Sequence, residues 1–168
     1  GECRNVGFLN ARVESTMSTG AILCGYMGHS TFKDAEGNLL PVVVENCYFE
    51  GTVSGKGYLG AIGGTVNYSP VTIRNCYSEV HLERSYAAGN VIAYTAGGII
   101  GGGQNSTTPA CIYDNVIAWN DSVTGNSASP LGSIAEEDTL REVLYSSDMI
   151  VNGEAIEGGN TDDELRQH

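Results

Sequence analysis

The stretch "VENCYFEGTV" (44–53) returns, little changed, as "TIRNCYSEVHL" (72–82). In each, an apolar residue and a charge precede Asn-Cys-Tyr, and Asn46 and Asn75 stand 29 residues apart. With the Asn as anchor, "CRNVGFLNARV" places a copy at Asn5 and "YDNVIAWNDSV" another at Asn115. A degenerate copy, "LREVLYSSDMIV", has Glu142 at the Asn place. Two places before the anchor stand Cys3, Val44, Ile73, Tyr113 and Leu140; one place after it stand Val6, Cys47, Cys76, Val116 and Val143. Val13, Val53, Leu82, Val123 and Ile150 follow seven or eight places on.

A second phrase follows the first four copies: "GAIL" (20–23), "GAIG" (60–63), "GGII" (97–100) and "GSIA" (132–135). The anchors are 41, 29, 40 and 27 residues apart, so the short spacings define a basic unit and the long ones carry insertions near 28–41 and 83–94. Short strands at a fixed period cannot each bury a core alone, but they can when they stack. The expected fold is all-β: a single-domain parallel β-helix (β-solenoid), right-handed, of about four and a half coils with two loop insertions. A β-sandwich also has short, regular strands, yet it gives no reason for one residue type to return at one place. Gly interrupts almost every window, so helix is disfavoured; only 136–146, "EEDTLREVLYS", suits a helical turn or two.

Stacking turns repeated positions into columns. Asn5, Asn46, Asn75 and Asn115 should form an amide ladder. The column before them reads Arg4, Glu45, Arg74, Asp114, Arg141, with alternating sign. Opposite charges on neighbouring strands stabilise and like charges destabilise, so this column should face outward. Cys47 and Cys76, on adjacent rungs, should be reduced and buried, because in-register side chains point the same way rather than at each other.

Composition narrows the function. Eight Lys+Arg against 20 Asp+Glu give a net charge of −12, which repels a phosphate backbone and an anionic membrane surface. No nucleic-acid partner and no membrane insertion are expected. The five Cys form no Cys-x-x-Cys and the three His share no ligand spacing, so neither a metal site nor a cofactor is expected. No Gly-x-Ser-x-Gly occurs. Tyr48, Tyr77, Tyr86 and Trp119, with Arg84, are candidate contacts for a ligand such as a sugar ring. Glu50 and Glu79 occupy equivalent places in adjacent copies and could approach each other, as a glycosidase requires of two carboxylates; two exposed turn carboxylates are the plainer reading. "DSV" (121–123) and "DTL" (138–140) match a short Asp-Ser/Thr-apolar pattern for O-glycosylation, at Ser122 and Thr139.

"NCYFEGTVSG…GAIGG" (46–64) and "NCYSEV…GGIIGG" (75–102) resemble the GLUG-motif repeat of surface and secreted Bacteroidetes proteins and of the non-catalytic part of some bacterial immunoglobulin A peptidases. The likeness spans most of residues 3–153. It departs from the repeat at the two insertions and at "GSIAEED", which replaces a Gly-rich ending in the fourth copy. It implies a β-helix in an exported bacterial protein, at the cell surface or outside the cell, and it brings no catalytic residues.

The sequence thus divides into a repeat domain, 1–153, and a polar acidic cap or tail, 154–168. The expected role is a non-catalytic, adhesin-like or glycan-binding stalk. Its partner would be a host or bacterial surface glycan or protein, with further domains attached upstream. A carbohydrate-active β-helix enzyme and an inert spacer are the alternatives.

Overall fold

The computed structural model describes residues 1–16, 18–84, 95–102 and 109–168, apart from the side chains of Arg84 and Thr95. Among the described residues the chain is all-β with one short helix. Among the described residues the strands form three sheets, which the chain visits in rotation. The first sheet holds β1 (Glu2–Arg4), β2 (Gly7–Ser15), β5 (Val42–Gly55), β8 (Val71–Arg84), β11 (Ile112–Ala118), β12 (Ser122–Thr124), β14 (Thr139–Tyr145), β15 (Ile150–Val151) and β16 (Glu154–Ala155). The second holds β3 (Thr19–Gly20), β6 (Tyr58–Gly60), β9 (Thr95–Gly97) and β13 (Ser127–Ser129). The third holds β4 (Cys24–Met27), β7 (Gly63–Val66) and β10 (Ile100–Gly102). Pairing within them is parallel except at β15–β16. We term one passage through the sheets a coil.

The anchors explain how each coil begins. Asn5, Asn46, Asn75, Asn115 and Glu142 all have positive φ, from 49° to 57°. Asn tolerates this left-handed region better than other non-Gly residues. The kink also changes the parity of the strand. Val44 and Cys47 both face inward while Glu45 and Asn46 both lie outside, which strict alternation forbids. The register runs Glu45↔Arg74 and then Cys47↔Cys76, stepping over the Asn pair. Nδ2 of Asn46, Asn75 and Asn115 donates to Oδ1 of Asn5, Asn46 and Asn75 at 3.0, 3.1 and 3.1 Å.

The charged column is aligned by the same register: Arg4↔Glu45, Glu45↔Arg74, Asp114↔Arg74 and Asp114↔Arg141. Glu45 pairs with Arg4 on one side and with Arg74 Nε at 3.1 Å on the other. Asp114 lies 3.9 Å from Arg141.

The core lies inside the coils. Phe49, Val53, Ile73, Val80 and Leu82 are wholly buried from the first sheet, Leu59 and Ile100 from the other two, and Ile62 and Ile99 from the corners between those. Burying each large aliphatic or aromatic side chain is worth about 1.5–3 kcal/mol. The Gly-small-Ile phrase makes the corner between the second and third sheets: Ala61-Ile62 joins β6 to β7 and Gly98-Ile99 joins β9 to β10. A Cβ on Gly97 would stand 2.1 Å from the Cα of Gly132 on the next coil, so the corner stacks only without one. Buried Asn120 ties the layers by accepting from Val80 N and donating to Gly98 O, both at 2.8 Å.

The cysteines are free, with Cys47 and Cys76 buried. Burial pushes the Cys76 thiol up to about 12 and the Cys24 thiol up to about 11.

Two expectations need correction. Residues 139–145 are strand β14, not helix, because they pair in register with β11. The one helix among the described residues, α1 (Asp162–Leu165), lies instead in the acidic C-terminal stretch, closed by a capping box between Thr161 and Glu164. The column of Val13, Val53, Leu82 and Val123 continues to Val151, since Ser122 pairs with Ile150. Ile150 and Leu140 are exposed, Leu140 on the last strand of its column. In the C-terminal stretch Ile156 packs against the core and Leu165 is buried.

Candidate functional site

Alternation along β5 and β8 sends Tyr48, Glu50 and Thr52 outward from one strand and Tyr77, Glu79 and His81 from the next. The following coil adds Trp119, whose backbone N–H donates to Ser78 O at 2.8 Å, and then Ser122, which pairs with His81. These columns wall a groove of about 1160 Å³ on the outer face of the first sheet. Glu50, Glu79, His81, Trp119, Asp121 and Ser122 line it, with Asp148 and Asp162 from later segments.

The groove is acidic. Ser122 Oγ lies 2.6 Å from His81 Nδ1, and Asp121 Oδ1 lies 3.3 Å from the same nitrogen. On the other side of the ring, Nε2 is 3.9 Å from Glu83. Trp119 is half-buried; its Nε1–H donates to Asp162 Oδ1 at 3.1 Å, and the Arg166 guanidinium stands 4.9 Å over its ring. The start of α1 and the residue after it therefore shape one wall.

Tyr48 and Tyr77 flank the carboxylates on their own strands. Their rings stack with centroids 5.3 Å apart and planes 9° from parallel. A Cβ on Gly7 would meet the Tyr48 ring at 2.2 Å, so that ring also covers the first coil. The two faces are thus largely engaged with protein, and edges and hydroxyls are left for a ligand. Burial, with the nearby Glu79 charge second, raises the Tyr77 hydroxyl above its ordinary value.

The sequence-derived candidates separate into groups. Trp119 and Ser122 come together with Glu50 and Glu79, and the Tyr48–Tyr77 pair lies beside them. Thr139 opens β14, away from this lining. Tyr86 and the side chain of Arg84 lie outside the described residues. Sequence reasoning missed His81, Asp121, Asp148 and Asp162. His81 could have been found: Arg12, Thr52, His81 and Ser122 form one column once the copies of unequal length are aligned. Among the described residues no group of three or more His, Cys, Asp or Glu is placed to hold a metal ion. Among the same residues no helix is long and apolar enough to cross a membrane.

Glu50 and Glu79 are register partners on neighbouring strands. They project from one face side by side, which suits acceptance of several hydrogen bonds from one ligand. It suits less well the opposed placement by which glycosidases flank a scissile bond.

No family model matches the chain, and no curated protein matches it. It is similar to a crystal structure described as that of a "putative immunoglobulin A1 protease" from Bacteroides ovatus, with a TM-score of 0.64 and 24% identity. The match covers 98% of this chain and 62% of that one, so the chain spans less than two thirds of its structural neighbour. At that identity the likeness shows a shared fold.

Proposed function

We propose that this chain is a right-handed parallel β-helix of the GLUG-repeat type that serves as a non-catalytic, glycan-binding stalk in an exported, surface-exposed protein. The fold part rests on the rotation through three parallel sheets and on the repeat phrases that anchor each coil. The likeness to the Bacteroides neighbour supports the fold part.

The binding part rests chiefly on the outer-face groove. Its carboxylates accept hydrogen bonds from sugar hydroxyls, and Trp119 supplies an apolar surface. Its volume of about 1160 Å³ exceeds that of a small sealed pocket. Five carboxylates line it against one histidine, so it repels uronates and other acidic sugars and takes a neutral glycan. A surface protein presenting such glycans would be the physiological partner.

The test is an array of neutral and acidic glycans probed with the chain and with its Glu79→Gln and Trp119→Ala variants. Neutral glycans should bind, acidic ones should not, and each variant should lose most of the signal. A blank array, or binding that both variants retain, sinks the reading. A second reading, a carbohydrate-active enzyme, would draw on the same Glu50–Glu79 pair, whose side-by-side projection suits it less well. Release of reducing ends from a bound glycan, abolished by Glu79→Gln, would favour it. Glycosylation of Ser122 would place a sugar inside the groove and favour the spacer; the intact mass of protein from the native host distinguishes that case.

A further inference from the structure

Three of the cysteines sit in two inner columns of the first sheet. Cys47 and Cys76 each follow an anchor Asn and are register partners. Cys3 stands in the other column, two places before its anchor, where the next three coils carry Val44, Ile73 and Tyr113. The left-handed Asn lies between the two columns and turns both inward.

That kink sets how the columns meet. Cys76 leans back toward the coil before it: its Sγ lies 3.1 Å from Arg74 O on its own strand and 3.7 Å from Val44 O on the preceding one. Cys47 repeats the lean, with Sγ 3.2 Å from Glu45 O and 3.6 Å from Cys3 O. The movement that sets Cys76 against Val44 therefore sets Cys47 against Cys3, and there the neighbour is a second thiol. The two sulfurs lie 3.9 Å apart. A bond needs about 2.05 Å, which side-chain rotation has to close. Cys47 and Cys76 stand in register on parallel strands, so their side chains leave the sheet in the same direction rather than toward each other.

We propose that Cys3 and Cys47 are a disulfide-forming pair, oxidised to a bond that staples the first coil to the second, while Cys76 stays a thiol. The thiols are free in this structure; the oxidant is a low-molecular-weight disulfide. One thiolate of the pair attacks it, its S–S bond breaks, and one half leaves as a thiolate with the bonding electrons. The other thiolate of the pair then attacks the mixed disulfide and expels the second half. The chain loses two protons and two electrons, and the two departing thiols carry them. The closed loop contains the first insertion, near 28–41, so the bond restrains that segment in the unfolded chain and stabilises the fold. The inference is independent of the groove and of any glycan, and both sulfurs belong to one chain.

The test refolds the reduced full chain in a buffer of reduced and oxidised glutathione. Free thiols are trapped by alkylation, and linked peptides are mapped by mass spectrometry. Cys3–Cys47 should be the dominant linked pair, with Cys24, Cys76 and Cys111 alkylated. The same mixture held in concentrated urea should give scrambled pairs instead. Cys76→Ala should keep the bridge; Cys3→Ala should lose it and leave Cys47 alkylated. The oxidised parent should unfold at a higher urea concentration than the reduced parent, and oxidant should not move the midpoint of Cys3→Ala. Absence of the bridge overturns the inference, as does dominance of Cys47–Cys76 or Cys3–Cys24. So does the same pair dominating in urea, since the fold would then not select it, or a midpoint that the bridge leaves unmoved.

Discussion

At the scale of single residues, Asn75 carries two tasks. Its φ is 50°, and its amide donates to Asn46 and accepts from Asn115. The tasks can be separated. Asn75→Gly keeps the backbone at ease and removes only the amide, so it should cost about 1 kcal/mol. Asn75→Ala adds left-handed strain and should cost about 2–3 kcal/mol in denaturant unfolding. Equal losses would mean that the conformation, not the ladder, is unimportant. Tyr113 makes a second residue-scale prediction. It is wholly buried, and burial is the main cause holding its hydroxyl un-ionised well above the ordinary value of 10.0. A group raised in the folded state contributes stability that is full below its unfolded value and lost as pH climbs past it. The Cys76 thiol, raised from 9.0 to about 12, acts in the same direction and starts lower. Unfolding free energy should therefore fall from pH 9.0 upward. Tyr113→Phe should leave stability at neutral pH within about 1 kcal/mol of the parent and make the fall above pH 10.0 shallower. An unchanged alkaline slope would contradict this.

At the scale of elements, the question is whether β1, β5, β8, β11 and β14 are joined by a column of charge or by separate pairs. Arg74→Glu places a third acid between Glu45 and Asp114, and should cost about 1–2 kcal/mol at low salt and less in about 1 M NaCl. The double variant Glu45→Arg/Arg74→Glu restores the central pair but sets each swapped charge against a like one, at Arg4 and at Asp114. A column predicts no recovery; isolated pairs predict full recovery. Equilibrium unfolding at two salt concentrations decides. The elements also show where sequence reading succeeds and fails. The anchors were legible because each coil must solve one stacking problem at one place, and it does so with one residue type. Segment 139–145 misleads because Leu140, Val143 and Leu144 follow helical spacing, while the strand state is imposed by pairing with β11. The Ile150 error has a similar origin: the fifth copy is one residue longer than the fourth before Val151, and only pairing reveals the slip.

At the scale of the whole molecule, the groove was less legible than the scaffold. Glu50, Glu79, Trp119 and Ser122 stood out one by one. His81 emerges only when copies of different length are brought into register. Asp162 and Arg166 reach the Trp119 wall from a C-terminal stretch that shares nothing with the repeat. Such a site is assembled across coils by the stacking itself, so everything proposed about binding depends on that stacking. The most direct test is isotope-edited NMR of the Asn side-chain amides. Stacked coils predict cross-peaks linking Asn5 to Asn46, Asn46 to Asn75 and Asn75 to Asn115, in that order and without skipped steps. Side-chain amides that see only protons from their own sequence neighbours would contradict the account.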